Sequence, residues 1–589
     1  MKGVTANQDA SGQVAARWGE AGPPPVPRRI TAGPLAFDLC GADVENVRYG
    51  GVDVLRALRM VVRDRNWGTV PGRVERAEVS GPVVSLRVRH GDDFAWTGRL
   101  EASPGGLTAS FEGEALREFA RNRIGWCLLH PLALAGTAVE VETPGGAVRE
   151  GTFPERISPH QPLRDIRALR YAYGGATVEI AFAGDVFETE DQRNWTDASY
   201  KTYSTPLDLP FPVTLRPGER VAQRVTIRVT GDPAPAAPPP EDRVVIGEPG
   251  APLPPIGFTV PHAPGPAERA RLDAVRPAFL HVELDADGAW RPALDAASAE
   301  AARLGVPLRA AVFTSSADRL PPVLAALRAA PVAAVAAYDA ATHVTTPELA
   351  RVVAGELPGI RLGGGTRAHF AELNRATDLP LDRLDEVGYS IAAQMHAEDR
   401  ASVRETLQAQ PVTVRDARRI AGGRPVVVGP VGFRPRFNAV ATDAGGPAIT
   451  EDPRRASVFG AAWTVGTLAA LSSADAVILY PAGGLGGDPP YPLWTVLAAM
   501  AKLPGARVRD VRTPPGIAAL ALHADAGDLL LVANLRDTPA DLGLGEPAWL
   551  LAADPGTERG WSFRPARADR LPAPSVAVRT TLRMEGLHV

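Results

Sequence analysis

Between Glu190 and Tyr203 the chain reads E-D-Q-R-N-W-T-D-A-S-Y-K-T-Y, packing acids, bases, amides, hydroxyls and aromatic rings together with no apolar period. Such a mixture grips a polyhydroxylated ligand: rings cover its C–H faces while carboxylates, amides and guanidinium forks bond its hydroxyls. Arg193, Trp195 and Asp197 are the candidates for that work. A solvated strand-turn with a local ion-pair network has the same composition. The run follows Val178, Ile180 and Phe182, spaced to line one side of a strand, so a rigid element delivers it.

Three later segments carry acid/base chemistry. In His281-Val282-Glu283-Leu284-Asp285 the alternation points His281, Glu283 and Asp285 to one side. The stretch G-G-G-T-R-A-H-F-A-E-L-N-R at 363–375 contributes Thr366, Glu372 and Asn374. No Gly-Lys-Ser/Thr follows its glycines, so it is not a phosphate-cradling loop, and they read either as room for a substrate or a tight turn, or as plain loop punctuation. Gln394 and His396 precede Glu398 and Asp399, and R-P-R-F-N at 434–438 adds Arg436 and Asn438. Glu372, Gln394, His396 and Arg436 come from neighbouring strand ends and read as one joint site. Thr366, Asn374, Gln394 and Asn438 are candidate substrate contacts. No metal-ligand spacing and no G-x-S-x-G elbow occurs, so water is the expected nucleophile, with no metal or other cofactor. His130 and His160 are read either as a pair that protonates a sugar ring oxygen, as in aldose epimerases, or as turn caps beside prolines.

The elements that position these groups fall into blocks, as the 589 residues are too many for a single core. Residues 1–32 read as a flexible extension. From 33 to 230, short alternating runs broken by Gly, Pro and Asp predict a β-sandwich domain. A proline-rich connector spans 231–255. Across 256–505 the pattern becomes apolar strand, loop, Ala/Leu/Arg helix, repeated eight times, which predicts a (β/α)8 TIM-type barrel, with an open doubly wound sheet as the alternative. Its expected strands are 256–260, 279–284, 308–313, 332–337, 360–362, 386–391, 425–428 and 476–480, and barrels do their chemistry at the carboxyl ends of such strands. The tail, 506–589, returns to β structure and reads as a second β-sandwich.

A net charge of -4 and 22% charged residues give no electrostatic footprint for nucleic acid or an anionic membrane. The N-terminus lacks the apolar core of a secretion signal, no apolar run reaches ~18 residues, and Cys40 and Cys127 make no disulfide framework. A soluble cytoplasmic protein acting on a small molecule is expected; oligomeric state is open.

The run at 190–203, G-W-C-L-L-H-P at 125–131, G-G-G-T-R-A-H-F-A-E-L-N-R and R-P-R-F-N together resemble the D-apionate lactonase family, from about residue 33 to the C-terminus. That resemblance implies a β domain, a barrel and a second β domain that hydrolyse D-apionolactone, a sugar-acid lactone, to D-apionate. For that hydrolysis Glu372 is the expected general base, with Glu283 in reserve and His396 as acid or oxyanion partner, and Arg436 favours the charge that grows into the product carboxylate. A glycoside hydrolase remains the alternative on architecture, although 429–438 after the seventh strand holds no carboxylate. A non-catalytic carbohydrate-binding protein is the third reading.

Overall fold

The computed structural model describes residues 14–20, 26–232, 242–439, 452–479, 491–544, 548–553, 560–566 and 570–582. Eight parallel strands close a barrel: Ile256–Thr259, Phe279–Asp285, Leu308–Thr314, Val332–Asp339, Arg361–His369, Glu386–Ala392, Val426–Gly432 and Ala476–Leu479. The expected end of the eighth strand, Tyr480, lies outside the described residues. Helices cover the outer face, so runs such as Val426-Val427-Val428 are buried on both sides and read as continuous apolar segments. Helix starts are marked locally: Thr346 caps Pro347–Glu356 by accepting from the Leu349 N–H, and Asp399 caps Arg400–Ile420 by accepting from Ser402.

Alternation brings His281 level with Arg309, and Glu283 level with Ala311, on neighbouring strands. Positions beside them are Ala334, Ala336, Gly363, Gly388 and Gly429 instead of large aliphatics, leaving a cavity of about 500 Å³, counting its solvent-open part. One of them, Gly363, opens the run Gly363-Gly364-Gly365, which corrects the sequence reading. The fifth strand was expected to stop at residue 362, but it runs through the glycines to His369. A Cβ on Gly365, whose φ is +99°, would sit 2.4 Å from the Gly388 carbonyl oxygen, so the glycines permit close strand contact and are not loop punctuation. A second correction concerns two helix-like stretches that the sequence pattern gives at 399–409 and 413–420, on either side of Pro411. The helix Arg400–Ile420 continues through it. Thr413 Oγ1 donates to the Gln410 carbonyl and Gln410 Nε2 to Thr467 Oγ1, so burial and side-chain bonds hold the backbone where the proline cannot donate.

The N-terminal domain is two nine-stranded antiparallel sheets. One includes Val52–Asp64, Phe119–Pro131, Ser199–Tyr203 and Phe187–Asp191 as successive neighbours. Their shared core contains Trp96, Phe111 and Trp126 in edge-to-face contacts at 5.7–6.4 Å. A seven-stranded C-terminal sheet packs on the barrel helix Val458–Ala470, and a two-stranded ribbon, Ala540–Asp541 with Arg570–Leu571, accompanies it. Its edge strand is Val245–Pro252, paired with Arg507–Arg512. That half of the expected connector is therefore part of a sheet; 233–241 lie outside the described residues. The expected flexible extension is also corrected in part: Trp18 is buried, with Arg400 Cζ 4.0 Å from its ring centroid and Phe459 at 5.9 Å. Residues 1–13 and 21–25 are outside the described residues. No helix among those described is long and apolar enough to cross a membrane.

Candidate active site

Two adjoining polar regions lie at the carboxyl ends of the barrel strands. Inside the mouth, Glu283 forms an ion pair with Arg436, whose other guanidinium nitrogen donates to the Arg367 carbonyl. Burial pushes the Glu283 carboxyl up, but Arg436 and Arg367 outweigh it and hold it at about 2. Glu283 is thus a fixed anion, unable to act as a general acid near neutrality. Arg367 lies 3.7 Å from the Phe313 ring centroid and 4.4 Å from that of Phe437, which fixes its guanidinium plane. His281 bonds Thr259 through Nδ1 at 3.1 Å, and burial lowers it to about 4. His343 and His369 stay neutral too, at about 4 and about 3, through burial and nearby cations.

The second region lies between the barrel and the N-terminal domain. Here the run at 190–203 is buried, not solvated, because Ser199–Tyr203 is an inner strand and the preceding turn docks on the barrel. Asp197 Oδ2 and His396 Nδ1 share a hydrogen bond at 2.6 Å. The indole of Trp195 meets the imidazole edge-on at 5.3 Å and fixes its plane. Burial raises the Asp197 carboxyl to about 7 despite Lys201 and Arg63, and burial also drives His396 well below its ordinary value. Once Asp197 is ionised it can only accept, so Nδ1 carries the proton and Nε2 presents its lone pair. A cavity beside this pair is lined by Arg59, Arg63, Cys127, Lys201 and His396. Lys201 is ion-paired with Glu190. The two regions meet where Asn438 Nδ2 donates to the Asn66 carbonyl at 3.1 Å.

The structure thus joins Asp197 to His396 and Glu283 to Arg436, and gives most other candidates structural work. Glu372, expected as the base, lies in the first turn of helix Phe370–Arg375, where its Oε2 accepts from the His369 N–H at 2.9 Å. Asn374 Nδ2 donates to the Ile157 carbonyl and to Asn194 Oδ1, so it bonds the two domains together. Thr366 donates to the His343 carbonyl at 2.7 Å and holds a turn. Gln394 donates to Asp452 at 2.5 Å. Arg193, 3% exposed, pairs with Asp191 and donates to the carbonyls of Pro154, Glu155 and Arg156; it is a buried knot, not a sugar contact. His130 is also spoken for: fully buried, it bonds Thr202 at 2.8 Å. Sequence reasoning passed over Arg59, Arg63 and Lys201. Arg59 and Arg63 belong to a strand whose polar positions read as a wet face, and nothing local signals that the barrel covers it.

A parallel barrel whose strand ends meet a β domain, with an imidazole aligned by a carboxylate from that domain, is a framework on which a hydrolase can be built. Residues 15–232 match the model of the D-apionate lactonase N-terminal domain, and residues 262–505 match that of the D-apionate lactonase TIM barrel domain. The chain is also 32% identical over 443 residues to the D-apionate lactonase of Brucella anthropi, a match covering 69% of this chain and 72% of that one. This chain therefore belongs to the D-apionate lactonase family and is a hydrolase acting on a cyclic ester. Among solved structures, a GH30 endoxylanase from Clostridium papyrosolvens aligns at 11% identity and TM-score 0.38, over 57% of this chain and 99% of that chain. A β-arabinopyranosidase aligns at 13% identity and TM-score 0.31, over 93% and 99%. Neither likeness bears on the chemistry.

Proposed function

We propose that the chain hydrolyses D-apionolactone to D-apionate, with His396 as general base. The observation that carries the reading is the 2.6 Å bond from His396 Nδ1 to Asp197, made across the domain boundary at a barrel strand end. In the proposed step, Nε2 takes a proton from water as the water oxygen bonds the lactone carbonyl carbon. The carbonyl electrons move onto oxygen and then return, the bond from carbon to ring oxygen breaks, and the imidazolium passes its proton to the departing alkoxide. The product is a hydroxy acid that releases one proton. Burial keeps the imidazole neutral and able to accept, and the Trp195 contact holds it in line. Arg436, already neutralised by Glu283, is better suited to hydroxyl recognition than to charge stabilisation.

The glycosidase reading loses ground on two carboxylates. Glu283 is locked as an anion and cannot protonate a leaving sugar oxygen, and Asp339 at the fourth strand end accepts from Ala341 N, Thr342 N and Thr342 Oγ1 of its own loop. The test is proton release on mixing with D-apionolactone, set against reducing-sugar release from apiosides. Lactone-dependent release that falls ~10²–10⁴-fold in His396→Ala supports the reading. Sugar release without lactone turnover, or full lactone turnover in that variant, refutes it.

A further inference from the structure

Arg63 sits in the interdomain cavity beside Lys201 and His396, at the end of the strand Val52–Asp64. Every other cation there is matched. Arg56 bonds Glu405 at 2.5 Å, Arg59 bonds Glu45 at 2.8 Å and Asp399 at 3.1 Å, and Lys201 pairs with Glu190. The side chain of Arg63 makes one bond, from Nη1 to the Trp67 carbonyl at 3.1 Å, and no carboxylate oxygen among the described residues lies within the 4.0 Å of an ion pair. A guanidinium removed from bulk water without a carboxylate in contact is costly, and burial lowers its proton affinity even though Glu190, Asp197 and Asp64 pull the other way from a distance.

The turn that holds Arg63 is itself built. Asp64 Oδ1 accepts from both Asn66 N and Gly68 N at 2.8 Å, and Trp67 takes a φ of +66°, unusual for a bulky residue. That conformation presents the carbonyl on which Arg63 rests, while Arg123 lies 5.1 Å from the Trp67 ring centroid. From the barrel side, Asn438 donates to the Asn66 carbonyl of the same turn. A fixed cation with no ion-pair partner among the described residues therefore faces the cavity that His396 lines.

We propose that Arg63 binds the lactone carbonyl oxygen and, after ring opening, the product carboxylate to which that oxygen belongs. The inference rests on the lactonase reading and adds to it the electrophilic partner of His396, supplied by the N-terminal domain. Charge on that oxygen grows as water adds and remains in the product, and a guanidinium fork fits both states. A charged hydrogen bond of this kind discriminates an aldonate from the corresponding uncharged alditol, which keeps the hydroxyls and lacks the carboxylate.

The test is calorimetric binding of D-apionate and of its alditol to the full-length chain, in wild type, Arg63→Gln and Arg63→Lys. Wild type should prefer the aldonate. Arg63→Gln should lose ~10–100-fold in aldonate affinity with the alditol unchanged, and Arg63→Lys should fall between. Equal weakening of both ligands by Arg63→Gln, unchanged aldonate binding, or no aldonate preference in wild type would each overturn the proposal. If Arg63→Gln does not fold, Arg63→Lys decides by the same aldonate-to-alditol ratio. Binding needs no turnover, so wild type that binds D-apionate but leaves D-apionolactone intact sinks the lactonase reading and leaves the Arg63 result readable.

Discussion

His396 works at a pH set by its partner. Below about 7 the buried Asp197 carboxyl keeps its proton, the pair holds one proton too many, and Nε2 is occupied; above that value Asp197 ionises and Nε2 is free. Initial rates measured from acid to alkaline pH should therefore show kcat/KM rising through about 7. Asp197→Asn should abolish that limb and lower the rate ~10²–10⁴-fold; an unaltered limb would separate Asp197 from the base. The same carboxyl has a cost. From its ordinary 3.8 up to about 7 the unfolded chain has released a proton that the folded chain still holds, so this group's contribution to stability falls as pH rises across that window. Glu372 makes the opposite case. Glutamine in the first helical turn can bond the same N–H, so Glu372→Gln should turn over lactone at the wild-type rate, whereas Glu372→Ala should lose about 0.3–1.5 kcal/mol in denaturant melts. A Glu372→Gln enzyme with ~10²-fold less activity would restore it as the base.

At the level of elements, the barrel was legible because each strand is buried on both faces and each helix carries an apolar stripe, patterns that need no partner to be read. Gly365 was not, since the reason for it is the neighbouring strand: the carbonyl of Gly388 occupies the place of its side chain. Gly365→Ala should consequently destabilise the chain by at least about 1–3 kcal/mol in chemical denaturation; wild-type stability would show that the two strands can part without penalty. The candidate site was legible residue by residue but not as a constellation. Asp197 and His396 are 199 positions apart, and their meeting depends on two domains docking. Arg63 gave no signal at all, because an arginine at an alternate strand position looks solvated until the barrel is seen to cover it. The pairing of Val245–Pro252 with Arg507–Arg512 was hidden for the same reason, being wholly non-local.

For the whole molecule, the N-terminal domain is half of the proposed catalytic machinery, so the docking contacts should govern rate. Arg375 is one such contact: Nε donates to the Pro159 carbonyl at 2.8 Å and Cζ lies 4.8 Å from the Trp195 ring centroid. Arg375→Ala should reduce kcat by up to ~10²-fold through misplacement of the pair, without touching the lactone; a full rate with a weakened domain interface would show that the pair tolerates looseness. The helix Val458–Ala470 carries a different consequence. It is apolar nearly all round and packs on Ile517–Ala524, Gly527–Asn534 and Ser575–Thr580 of the C-terminal sheet. At ~5–20 residues per second of synthesis, that helix leaves the ribosome well before the strand ending at Thr580 exists to cover it. The growing chain thus passes through an interval in which a sticky surface is bare. Premature termination between the barrel and the last strand should yield aggregates instead of a smaller enzyme, and slow translation of the final segment should increase demand for chaperones.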